Sequence, residues 1–157
     1  MTNKLNDHLG EKTLTTEQMS TRLQQTVELA SEAIFWLERN GRFSYVNERA
    51  CHSLGYTRAE LLLMFLWDID PDFSKERWDN QWEDLEEKEK NTFETRHRRK
   101  DGHIFPVEVS ACQIISDEEE YHAAFVRDIT ERKAVEMALS ESEERFRTLM
   151  EDRKSVV

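Results

Sequence analysis

The side chains with chemistry to offer are two cysteines, a few scattered histidines and one basic run. Cys51 and Cys112 stand far apart and form no disulfide framework. That usage suggests a reducing, cytoplasmic setting. His52, His97 and His103 lie in separate segments, and no histidine follows His122, so the C-terminal part offers no phosphoacceptor. The four glycines are isolated at 10, 41, 55 and 102, which leaves no glycine-rich loop to cradle a phosphate. No catalytic residue set and no metal-ligand set is assigned. Arg96, Arg98, Arg99 and Lys100 make a short basic cluster that would suit a carboxylate or an acidic surface. Strand alternation turns Arg96 and Arg98 to one side and Thr95, His97 and Arg99 to the other. The cluster is therefore read as a solvated hairpin tip.

Composition narrows the function classes. The chain has 157 residues, 35% of them charged and 38% apolar, enough for one domain plus an appendage. A net charge of −11 argues against nucleic-acid binding and against attraction to an anionic membrane. The longest apolar run, Leu61 to Trp67, is far short of the roughly 20 residues of a membrane span. The N-terminus lacks the apolar core of a signal peptide.

The elements that must position these residues follow from periodicity and turn chemistry. Residues 1–14 are polar and expected to fray. Thr15 and Gln18 match a capping box, and Met19, Leu23, Val27 and Ala30 share the face of the helix that follows. That helix is expected to pack on its own domain, to cover a sheet or to pair with its own copy. Residues 33–38 read as a buried strand, Asn40-Gly41 as a hairpin turn, and residues 42–46 as the returning strand. Asn47 caps a short helix that Gly55 ends. Thr57 and Glu60 open a second helix, and Ser74 a longer third. Trp78, Trp82 and Leu85 share one face of the third, opposite a solvated acidic side. Residues 91–99 and 103–114 form a second hairpin around Asp101-Gly102, with Phe105, Val107, Val109 and Ala111 on its buried face. Pro106 is expected at an edge or bulge. After an acidic turn at 116–120, residues 121–129 read as the last strand, which leads into a long helix. There Val135, Leu139, Ser142, Phe146 and Leu149 recur at steps of four and three, the spacing of a helix that pairs with another helix.

The segments AIFWLERNGRFSYVNERACHSLGY, RRKDGHIFPVEVSA and FVRDITERK, in this order over residues 24–134, resemble the PAS domain family. The ESEERFRTLME segment resembles the linker into a further such domain or a histidine-kinase dimerisation helix. The resemblance implies an α+β fold with a five-stranded antiparallel sheet, helices on one face, an N-terminal cap helix and a C-terminal coiled-coil-type helix. Its divisions are a flexible N-terminus with the start of the cap helix (1–22), the PAS domain (23–130), and a signalling helix (131–157) leading to an output domain.

The resemblance also implies a role and a site. The role is that of a sensory and dimerisation module of a two-component protein, with a sensor histidine kinase as parent. The alternatives are a ligand-free interaction module or the PAS module of a diguanylate cyclase. No cyclase motif and no kinase ATP-binding box occurs in these residues. The expected pocket wall is Trp36, Leu54, Leu66, Trp78 and Val107. The expected signalling junction is Asp128, Ile129 and Thr130, and the expected dimer seam is Val135, Leu139, Phe146 and Leu149. Haem is disfavoured because residues 74–90 hold no histidine, which leaves His97 as the sole stand-in and a surface or core-edge histidine as the better reading. A cysteinyl-flavin is disfavoured because the reactive-cysteine motif is missing, and Cys51 reads as a small buried residue. A flavin held without a covalent bond, walled by Trp36, Trp67, Trp78 and Trp82, a small metabolite and an empty pocket all stay open, with aromatic core packing preferred for the tryptophans. The expected partners are a second copy, an output domain of the same chain and a small-molecule ligand.

Overall fold

The computed structural model describes residues 13–116 and 118–155, so most of the segment expected to fray lies outside the described residues. The elements are α1 (Thr16–Glu28), β1 (Ala33–Leu37), β2 (Phe43–Val46), α2 (Glu48–Leu54), α3 (Arg58–Leu61), α4 (Leu66–Ile69), α5 (Lys75–Lys88), β3 (Lys90–Arg98), β4 (Ile104–Ser116), β5 (Glu119–Asp128) and α6 (Thr130–Ser155). The five strands form one sheet in the order β2-β1-β5-β4-β3, and every neighbouring pair is antiparallel. The first and last strands of the chain thus lie side by side in the middle.

Caps set most helix boundaries. Thr15 and Gln18 exchange side-chain and backbone hydrogen bonds at the start of α1, and Thr57 and Glu60 do the same at α3. Asn47 accepts the Ala50 amide at α2, and Ser74 accepts the Arg77 amide at α5. Gly55, at φ +75°, ends α2 in the left-handed conformation that glycine adopts without penalty. One middle helix was not expected. Four residues, Leu66–Ile69, form α4, whose start is held by Asp68 accepting the Phe65 amide at 2.8 Å. No Ser, Thr, Asp or Asn precedes α4, so the usual opening signal is missing. Helix α5 ends at Glu89, which takes φ +62° without being glycine.

The core lies between the sheet's inner face and helices α2–α5. Trp78, Trp82 and Leu85 of α5 are all buried, and so are Phe105, Val107, Val109 and Ala111 of β4. Pro106 lies in an interior strand rather than at an edge. It stands one residue beyond the last rung of the β4–β5 ladder, Val107–Asp128, and its carbonyl accepts the Ile129 amide at 3.1 Å. Its missing N–H therefore falls where the ladder has ended.

Of the three described glycines with positive φ, Gly41 has the closest neighbour. It has φ +85°, and a Cβ there would lie 2.6 Å from Trp67 Cζ3. Gly41→Ala is expected to destabilise the domain by about 2 kcal/mol, from left-handed strain plus displacement of the indole. The check is a urea denaturation midpoint; a loss of only about 1 kcal/mol would show that the indole swings aside freely and strain alone remains, and an unchanged midpoint would contradict both contributions.

Helix α1 does not pack on the domain through its apolar face. None of its residues is buried, and Met19 and Leu23 are exposed. It is fastened at its C-terminal end. The Glu28 carboxylate accepts from the Tyr45 hydroxyl at 2.6 Å, from the Glu48 amide at 3.1 Å and from Arg58. Burial and the adjoining Glu28 carboxylate push the Tyr45 hydroxyl pKa up to about 12, which keeps it a donor.

Candidate functional site

Two features have the makings of a site: a cavity under the sheet, and the junction where β5 becomes α6. The cavity has about 40 Å³ of room, space for roughly three or four water-sized groups. Phe35 and Leu37 of β1 form its floor together with Val109 of β4 and Ala124 of β5, while Leu66 and Trp78 close it from the helices. Of the expected wall, Leu66 and Trp78 line the cavity. Leu54 and Val107 are buried in the same core but outside its walls. Trp36 alternates with Phe35 and Leu37 and so points to the opposite face, where its ring packs against Tyr45 and Tyr121 at 4.6 and 5.2 Å.

The lining also includes polar residues outside the expected wall. Asp70, Thr95, His97 and His122 are all buried, and all line the cavity. Asp70 accepts from the Thr95 hydroxyl and from the Asp72 amide, both at 2.8 Å. Burial raises its carboxyl above the usual aspartate range despite those bonds. His97, expected at a surface or core edge, is instead 3% exposed, edge-on to Phe35 and Phe105. His122 is 1% exposed; its ring stacks on Trp82 at 3.8 Å and meets Trp78 edgewise at 5.4 Å. Burial lowers both imidazole pKa values to about 4, and the nearby Arg39 charge adds to the effect at His122. Both rings are therefore neutral at pH 7. A sequence signal for them did exist: His122 is in phase with Ala124 and Val126, and His97 with Thr95 and Phe93.

The cavity is far too small for a haem or a flavin. His97 is among its lining residues. The four tryptophans do not form one wall. Trp67 stacks on Phe65 at 5.0 Å, Trp78 and Trp82 pack against each other at 5.6 Å, and Trp36 is across the sheet. The basic cluster likewise disperses. Arg96 clamps Asp72 with bonds of 2.8 and 2.6 Å, Lys100 pairs with Glu60 at 2.7 Å, and Arg99 reaches Asp128 at 3.8 Å. Cys51 and Cys112 are half-buried free thiols. Among the described residues no group of His, Cys, Asp and Glu has a metal-binding arrangement, and no helix is long and apolar enough to cross a membrane.

At the junction, Asp128 Oδ1 accepts from both the Thr130 amide at 2.9 Å and the Thr130 hydroxyl at 2.5 Å. An acidic group at the start of a helix also suits the positive end of the helix dipole. Ile129 between them is buried, which anchors the turn in the core. Beyond it, Arg132 pairs with Glu94 at 2.9 Å and with Glu108 at 3.2 Å, and Lys133 pairs with Glu94 at 2.6 Å. Those cations hold the Glu94 carboxyl below its usual range. The first turn of α6 is thus bound to β3, β4 and β5. The rest of the helix leaves the domain: Val135, Leu139, Phe146 and Leu149 are 60–66% exposed.

Residues 31–131 match the PAS domain family. Sporulation kinase E of Bacillus subtilis (strain 168) is 30% identical over 125 residues, which is 78% of this chain but only 16% of the kinase. A solved PAS domain from a two-component sensor histidine kinase is 36% identical, with a TM-score of 0.65, covering 73% of this chain and 99% of the other. The PAS domain of an HTR-like protein from Haloarcula marismortui is 32% identical, with a TM-score of 0.68, covering 72% of this chain and 93% of its own.

Proposed function

Because the chain belongs to the PAS domain family, we propose that it is the sensory and dimerisation module of a cytoplasmic two-component protein, with a sensor histidine kinase as the whole. In this reading residues 131–157 are the signalling helix and linker, and residues 23–130 the domain that drives them. The observation that carries it is α6, a helix of 26 residues that begins within two residues of a central strand and bares an apolar seam to solvent. Four large side chains at seam spacing are costly to leave in water, at roughly 1.5–3 kcal/mol each when fully exposed rather than buried. A second copy of the same helix would cover them. A change in cavity packing would move β5, and the Asp128–Thr130 clasp would pass that movement to the rod.

Two tests address the two halves of this reading. Leu139→Asp puts a charge in the seam and is expected to turn a dimer into a monomer in sedimentation equilibrium; an unchanged dimer would remove the seam. Asp128→Ala is expected to cost about 1 kcal/mol, as loss of a helix cap does, while abolishing regulation of output in the parent protein. Unaltered regulation there would mean that the clasp only caps the helix.

A second reading is a ligand-free interaction module. The small size of the cavity favours it, because Phe35, Phe73, Trp78 and Phe93 line it and about 40 Å³ of room is left between them and the other walls. Binding at the cavity separates the two readings.

A further inference from the structure

Among the described side chains that line the cavity, buried His122 and half-buried Gln81 carry buried nitrogens without a protein hydrogen-bond partner. His122 has neither ring nitrogen hydrogen-bonded, and the Gln81 Nε2 amide has no acceptor. Both line the same space, and Gln81 immediately precedes Trp82, the indole on which the His122 ring stacks. Buried polar groups in native proteins are almost always hydrogen-bonded, so two orphans at one cavity mark a place where something else supplies the bonds.

The chemistry of that something is constrained from three sides. A neutral imidazole presents one donor and one acceptor, and Gln81 adds a donor, so the complement must both donate and accept. Charge is disfavoured in either sign. No Lys or Arg lines the cavity to meet an anion, and the Asp70 oxygens that would meet a cation are already engaged by Thr95 and Asp72. About 40 Å³ of room admits only a few heavy atoms, and the remaining walls are apolar. We propose that the cavity binds one small uncharged hydroxylic molecule, such as a short-chain alcohol, its hydroxyl between His122 and Gln81 and its alkyl end against Phe35 and Leu37. This rests on the reading of the cavity as the sensing site and names the class of molecule sensed.

The test uses 1-propanol as probe, acetate as its charged counterpart, and the His122 ring 15N signals of the full 157-residue chain as readout. Saturable shifts with 1-propanol are expected, with a midpoint at least tenfold weaker in Gln81→Leu and no saturable response to acetate. His122→Phe, followed through Trp78 and Trp82 fluorescence, should lose the response while retaining its melting transition. A response linear in 1-propanol, a midpoint unchanged in Gln81→Leu, or equal binding of acetate would each overturn the assignment; so would shifts explained by ordered water alone. If 1-propanol fails while Leu139→Asp still breaks the dimer, the ligand class is wrong and the dimerisation module stands. An unbroken dimer with saturable binding would mean the reverse.

Discussion

Asn47→Ala is expected to destabilise the domain by about 3 kcal/mol or more, well beyond the ~1 kcal/mol of an ordinary helix cap. Asn47 is fully buried and uses its whole amide. Its oxygen accepts the amides of Ile34 and Ala50, both at 3.0 Å, and its nitrogen donates to the carbonyls of Val27 and Glu32, also at 3.0 Å. One side chain thus ties the end of α1, the entry to β1 and the start of α2 together. Alanine would leave two buried amides without acceptors. Asn47→Asp separates capping from cross-linking. Aspartate caps a helix as well as asparagine does, but it would turn a carboxylate toward two carbonyls. Urea denaturation at pH 7 should therefore find both variants strongly destabilised. If the aspartate variant matched the parent, capping alone would account for Asn47.

The second large effect is with pH. Both His97 and His122 fall from 6.5 in the unfolded chain to about 4 when folded, chiefly through burial. Between those values the unfolded chain binds protons that the native protein refuses. Stability is therefore complete above about pH 6.5 and is lost as pH falls toward 4. At pH 5 the loss is about 2 kcal/mol per histidine, a large share of the 5–15 kcal/mol typical of a domain. Asp70 works the other way. Its folded carboxyl titrates above the usual value, so its contribution is present at low pH and fades as pH rises through the folded pKa, which offsets part of the loss at the acid end. The paired carboxylates of Asp72 and Glu94, lowered by their Arg96 and Lys133 partners, lose their contributions only below about pH 4.5 and leave the pH 5 comparison clean. The midpoint for His122→Phe should shift about half as much between pH 7 and pH 5 as that of the parent. Equal shifts would show that His122 is protonated in the native state.

The strand and cap pattern was legible because its signals are local. Thr15, Asn47, Thr57 and Ser74 each announce a helix by side chain alone, and the Asn40-Gly41 and Asp101-Gly102 turns fix both hairpins. Cavity walls are a matter of phase, and phase is hidden where both faces are buried. Ala33, Ile34, Phe35 and Leu37 are all buried, so residues 33–37 carry no alternation to say that Trp36 faces away from Phe35. The phase of His122 with Ala124 and Val126 marks it as inward-facing, but that His122 and Gln81 share one cavity depends on what lies across it, which no spacing within one element reports. The exposed seam of α6 lies at the other extreme: its 4-3-4-3 spacing was plain in sequence, and α6 follows it with the same side chains in solvent.

The central claim is that α6 is a rod that meets its own copy along that seam. Disulfide trapping tests it most directly, with Cys51 and Cys112 first replaced by serine. Leu139→Cys on the seam should give a covalent dimer under mild oxidation, and Glu144→Cys on the opposite side of the helix should not. Equal trapping at both positions, or none at Leu139, would contradict the paired rod and leave the helix with nothing to act against.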